Sequence, residues 1–222
     1  MANPLFGLTL SIAAFALGSW VSKKTKFALA NPLIIAMMLV IAVLLIFDIP
    51  LETYEVGGSF ITFFLPPVTV VLALSIYRQR SVLQSYVLPI GVGTLVGSIV
   101  AIGSTILLSR ILGLDEVMIR SLSSKSVTTA VAVALTEQHG GVPAITVAST
   151  LITGLAGNIL APYLGRIFGI KDPVAHGVGI GTSSHALGTS KALELGEVEG
   201  SMSSISISFS ALWTTLILAF VF

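Results

Sequence analysis

The chain has 222 residues, 55% of them hydrophobic and only 9% charged, with a formal net charge of +1 and a mean hydropathy of +1.01. Too few charges are present to dress a soluble surface, so the composition reads as an all-α polytopic membrane protein. The near-zero net charge, without a long charge run, offers no basic patch for nucleic acid. The absence of cysteine excludes disulfides, thiol catalysis and cysteine-based metal sites.

A helix crosses a bilayer with about 20 apolar residues at about 1.5 Å of rise each. That length predicts spans near residues 5–21, 28–47, 59–77, 86–112, 142–166, 173–192 and 202–222, with a shorter, polar-rich stretch at 120–138. The count is therefore seven or eight membrane segments in a single membrane domain, 1–222. The first apolar run precedes its charges, Lys23, Lys24 and Lys26, and reads as a retained span instead of a signal peptide. Loops rich in Lys and Arg stay cytoplasmic, which places Lys23 to Lys26, Arg78 and Arg80 inside, and the N-terminus and the acidic loop with Asp48, Glu52 and Glu55 outside. The stretch 120–138 decides the remaining orientation. A full crossing would leave Arg166 and Lys171 outside, against the charge rule. The polar string SLSSKSVTT (121–129) and the brevity of the apolar part, 130–135, also favour a broken or re-entrant form.

That topology exposes an inverted repeat with halves of about 1–112 and 113–222. An offset of 111 residues carries Pro32 onto Pro143, at the openings of two spans, and Pro66 onto Gly177. Spans two to four then run opposite to the last three, an arrangement found in secondary transporters. Coincidence is the plainer alternative, since Pro and Gly are common in membrane helices.

Pro66 and Pro67 together predict a break or sharp kink in the third span. It either frees carbonyls toward a site or is a structural kink satisfied by Thr62 or Thr69. The run Gly177 to Ser184 (GVGIGTSS), through Gly177, Gly179 and Gly181, predicts a second break. His176 would then close one half-helix and Ser183 or Ser184 cap the next, leaving free amides that suit a carboxylate. Close helix packing is the alternative reading of these glycines, although packing alone does not account for His185 and Lys191 on the same element. Lys125 lies among Ser121, Ser123, Ser126, Thr128 and Thr129. An ammonium at that depth costs roughly 2.5–3.5 kcal/mol on insertion scales, which an anion or a watered vestibule would offset; snorkelling is the alternative. The expected substrate-binding set is thus Ser121, Ser123, Lys125, Ser126, Thr128, Thr129, Thr69, His176, Thr182, Ser183, Ser184, His185 and Thr189. Thr69, Thr182 and Thr189 are placed to read a hydroxyl, and His176 or His185 to carry a coupling proton. Gly93 and Gly97, and Ser203, Ser206 and Ser210, mark helix-packing faces. No HExxH and no Gly-x-Ser-x-Gly turn is present, so neither a catalytic residue nor a metal or cofactor is expected.

Four strings in order, ANPLIIA (30–36), PPVTVVLALSIYRQ (66–79), SLSSKSVTTAVAVALTEQHGG (121–141) and AHGVGIGTSSHALGTSKALE (175–194), resemble the LrgB/CidB family. YohK-like proteins and the C-terminal half of the plastid glycolate/glycerate translocator are related to it. The resemblance implies a multi-pass protein of the bacterial inner membrane. It further implies a secondary-type transporter that exports or exchanges small organic anions such as glycolate, glycerate, pyruvate or 3-hydroxypropionate. The partners implied are a small LrgA/CidA/YohJ-type membrane protein and self-association into a homo-oligomer. The family's other label is a holin/antiholin-like pore or regulator of murein hydrolase activity and cell lysis. Its usual Pro-Lys-Ser-Val-Thr reads Ser124-Lys125-Ser126-Val127-Thr128 here, its Gly-Pro-Ala-Thr reads Pro66-Pro67-Val68-Thr69, and Ser75 replaces a proline.

Overall fold

In the computed structural model, which describes residues 4–25, 32–64, 67, 77 and 80–222 (backbone only for 81–83), helix is the only regular secondary structure. Hydrocarbon leaves no water to satisfy backbone amides and carbonyls, and a helix pairs them within one segment. The chain divides into two compact units, Met1–Val68 and Thr69–Phe222.

The first unit holds α1 (Pro4–Thr25), α2 (Pro32–Ile46) and α3 (Leu51–Thr62). Glycines bring their backbones together: a methyl group on Gly57 would stand 2.7 Å from Gly7 Cα, and one on Gly18 would stand 2.5 Å from the Pro32 carbonyl oxygen. Ser11 Oγ and Tyr54 Oη share a hydrogen bond of 2.8 Å between α1 and α3. The acidic residues Glu52 and Glu55, expected in a loop, belong to α3. Pro50 precedes it at φ −58° and Glu52 sits in its first turn, both of which favour helix initiation. Most of the span expected at 59–77, with Pro66 and Thr69, lies outside the described residues; Pro67 is helical and exposed.

The second unit holds α4 (Arg80–Ile111), α5 (Glu116–Ser123), α6 (Thr129–Gln138), α7 (Pro143–Ile167), α8 (Pro173–Leu195) and α9 (Glu197–Val221). Within this unit α4 packs on α8 and α9. Pro89 lies inside α4 and Tyr86 departs from helical geometry (φ −126°, ψ 18°), the kink expected where a proline lacks its amide hydrogen. The core joins Ile90 of α4 to Val178 of α8 and to Met202 and Ile205 of α9, and a second cluster joins Ile102, Leu135 and Leu218.

Pro4–Thr25, Gln84–Ile111, Pro143–Ile167 and Glu197–Val221 are each long and apolar enough to cross a membrane, and Pro32–Ile46 is a shorter apolar helix. The protein is a helical multi-pass membrane protein. Helix α8 has the length to cross but carries many polar residues, and ten of its residues are buried. Polar side chains at membrane depth are tolerated where neighbouring protein covers them; here α7, α9 and α4 pack around α8.

Candidate functional site

The stretch 120–138 is broken into α5 and α6, joined by residues 124–128. With 8 and 10 residues, neither helix approaches the bilayer's roughly 30 Å core at about 1.5 Å per residue. They fold back on each other. Arg120 Nη1 donates to the His139 carbonyl at 2.9 Å near one end, while Ser124 Oγ reaches the Ala132 carbonyl and Thr136 Oγ1, both at 3.2 Å. The last turn of α5 thus lies beside the end of α6. Asp115 caps α5 by accepting from the Met118 amide at 2.8 Å, satisfying one of the four orphan amides of a helix start.

Lys125 stands at the apex of this hairpin, half-buried, its ammonium donating to Thr105 Oγ1 of α4 at 2.5 Å. Below it, Ser121 Oγ donates to the Val117 carbonyl at 2.6 Å and accepts from the Val142 amide at 2.8 Å. Thr146 Oγ1 donates to the Ser121 carbonyl and shares a bond with Thr136, each at 2.8 Å. Ser123 Oγ donates to the Ile119 carbonyl at 2.6 Å. Ser126 is half-buried and Thr129 opens α6. Thr128 precedes α6 without a side-chain cap bond, and its buried Oγ1 has no partner among the described residues.

The break in α8 falls one residue beyond the expected 177–184. Residues 177–184 are helical, and His185 departs, with φ 41° and ψ −144°. This correction also removes the proposed capping by Ser183 or Ser184: Ser183 Oγ donates to the Gly179 carbonyl at 2.8 Å, inside a continuing helix. Gly177, Gly179 and Gly181 are therefore not the breaking residues. Gly177 and Gly181 admit the α9 backbone, since a methyl group would stand 2.5 Å from the Glu199 carbonyl oxygen or 2.9 Å from Ser203 Cα, whereas Gly179 is exposed and meets nothing within 4 Å. Lys191 is paired with Glu194 at 2.8 Å at the surface.

A side chain at such a φ and ψ costs about 1–3 kcal/mol unless its surroundings hold it. They do so here. Buried His185 donates from Nε2 to the Thr150 carbonyl of α7 at 2.9 Å; a carbonyl only accepts, so Nε2 carries the proton. Its ring lies over Gly154, where a methyl group would stand 2.6 Å from the ring atoms. Gly157 receives Ser184 Oγ in the same way, and Gly165 receives the ring of His176, whose Nε2 approaches the Ala161 carbonyl at 3.3 Å. Asn158 Nδ2 donates to the Leu187 carbonyl, just past the break, at 2.8 Å.

Two groups of expected residues are brought together by α7. Ser121 of the hairpin meets Thr146 directly and Ser124 does so through Thr136, while His185 reaches Thr150, whose hydroxyl donates to the Thr146 carbonyl at 2.7 Å. Thr182 Oγ1 donates to the Val178 carbonyl at 2.7 Å on the opposite side, facing α4 and α9, and Thr189 bonds Ser203 Oγ of α9 at 2.7 Å. Sequence reasoning missed Thr105, Thr136, Thr146, Thr150 and Asn158, and the seats Gly154, Gly157 and Gly165. The spacing of Gly154 and Gly157 on one helical face was the available signal.

A family model described as the LrgB-like family matches residues 11–222. The "Antiholin-like protein LrgB" of Bacillus subtilis (strain 168) is 36% identical over 217 residues, covering 97% of this chain and 94% of its own length. The proteins of that name from Bacillus mycoides (strain KBAB4) and Bacillus cereus (strain B4264) are each 34% identical, with the same shares covered. No solved structure matches.

Proposed function

Given that the chain belongs to the LrgB-like family, we propose that it acts as an antiholin-like membrane protein that restrains murein hydrolase activity and lysis, together with a small LrgA/CidA/YohJ-type partner in the inner membrane. The observation carrying this reading is the end-to-end likeness, 97% of this chain and 94% of the relative, to proteins that bear the antiholin-like name. Long apolar faces support lateral association in the bilayer: Val92, Val96, Ile99 and Val100 on α4 are all exposed, and such faces meet lipid or another helix. Controlled expression beside a holin is the test. The chain delays lysis and lowers zymographic hydrolase activity; unaltered lysis timing with normal membrane insertion overturns the reading.

A second reading, a secondary carrier of small organic monocarboxylates, is favoured by Lys125. An ammonium half-buried at the tip of a folded-back helix pair, held by a threonine hydroxyl instead of a carboxylate, is suited to an anion that arrives and leaves. Ser126 and Thr128, on the same connection, are the nearest candidates to orient that anion, with His185 a candidate for the coupling proton. Proteoliposomes loaded with radiolabelled glycolate, glycerate or pyruvate decide it. Saturable, stereoselective exchange supports a carrier, and passage of unrelated solutes without saturation supports a pore.

A further inference from the structure

We propose that the break in α8 carries a binding site for a monovalent metal cation of the sodium class, formed by neutral oxygens of α4, α8 and α9. The departure at His185 takes the backbone after it out of helical register with the carbonyls before it. Carbonyls at such breaks are suited to coordinating sodium. The Thr182 carbonyl oxygen is met by Ser210 Oγ at 3.4 Å, and Ser210 Oγ stands 3.3 Å from Ser98 Oγ. About two turns beyond Thr182, on the far side of the departure at His185, Thr189 Oγ1 lies 2.9 Å from the His185 carbonyl oxygen and 2.7 Å from Ser203 Oγ.

Ser206 supplies an independent observation. It is 0% exposed, and its hydroxyl has no hydrogen-bond partner among the described residues. A serine in a helix can always donate back to its own preceding turn, as Ser204 does to the Gly200 carbonyl at 2.8 Å. Ser206 does not, and its oxygen is left as an unengaged acceptor. Ser203, Ser206 and Ser210 follow one another at three and four residues on one face of α9. Ser206 therefore points into the same seam as the two serines that meet α8.

The donor set selects the ion. These oxygens belong to hydroxyls and carbonyls, with no carboxylate among them, and the cost of burying charge grows with its square, which disfavours a divalent ion. A cation taking oxygens at roughly 2.3–2.6 Å holds octahedral neighbours roughly 3.4 Å apart. The Ser98–Ser210 and Ser210–Thr182 separations of 3.3 and 3.4 Å match that spacing, and both are long for hydroxyl hydrogen bonds.

The test uses the purified full chain in detergent and does not depend on which function it serves. Radioactive sodium should bind saturably, and NaCl should raise the unfolding temperature above that in KCl or choline chloride at equal ionic strength. Ser206→Ala should weaken sodium binding roughly tenfold, the loss of one ligand, while Ser204→Ala leaves it unchanged. Absence of saturable sodium binding to the unmodified chain overturns the proposal without any variant. So does a Ser206→Ala substitution that raises the unfolding temperature by the same amount in all three salts and so leaves the extra stabilisation by NaCl as large as in the unmodified chain, the behaviour of a buried orphan hydroxyl simply removed.

Discussion

Gly179 and Gly181 lie two residues apart in one glycine run of α8, yet alanine should move stability in opposite directions at the two. At Gly181 the new methyl group would press on the Ser203 carbonyl oxygen and stand 2.9 Å from Ser203 C and Cα, backbone atoms that cannot rotate aside. Ordinary contact begins near 3.4 Å, so α8 and α9 must separate by about half an ångström or more. Overpacking of this kind costs about 1–3 kcal/mol, and a rigid backbone neighbour places it near the upper end. Replacing glycine by alanine in a helix returns about 0.5–1 kcal/mol, leaving Gly181→Ala destabilised by about 2 kcal/mol. Gly179 has nothing within 4 Å, so Gly179→Ala keeps the propensity gain alone and is stabilised by about 0.5–1 kcal/mol. Reversible unfolding in mixed micelles, followed by the fluorescence of Trp213 in α9, measures both. A Gly181→Ala protein as stable as Gly179→Ala would refute the close approach of α8 and α9 and return these glycines to the role of helix breakers.

The break itself is tested by a reversed order at His185. At φ 41° glycine is unstrained, so His185→Gly should be more stable than His185→Ala by about 1 kcal/mol, whereas a regular helix would favour alanine by about as much; both should fall below the parent, since the Thr150 carbonyl loses its donor. Lys125→Met should abolish monocarboxylate exchange in proteoliposomes with stability unchanged or raised, because Thr105 still donates to the Ala101 carbonyl at 2.7 Å and a costly ammonium is gone; persistent exchange removes the lysine from any transport site. Single cysteines at the exposed positions Glu116 and Gln138, introduced into a chain that has none, should react with an impermeant maleimide from one side of the membrane. Labelling from opposite sides excludes the hairpin.

What the sequence determined by itself is the local and one-dimensional part of this protein. Hydropathy and length identify α1, α4, α7 and α9 as helices fit to cross a bilayer, because the requirement for about 20 apolar residues acts on each segment separately. The polar run at 121–129 likewise marks the break between α5 and α6, since hydroxyls and a lysine cannot face lipid over a short apolar tail. Capping is equally local: Asp172 accepts from the Ala175 amide at 2.9 Å, with Pro173 beginning α8. Tertiary structure decided where α8 breaks and what its glycines do. Glycine permits an unwound backbone but does not require one. Gly177 and Gly181 stay helical because α9 lies against them, while His185 departs because the Thr150 carbonyl and the space above Gly154 hold its ring. Those partners lie 31 and 35 positions away in the chain. No periodicity within α8 records them, and only the packing of α7 against it brings the hydroxyls of the hairpin and the buried histidine into one network.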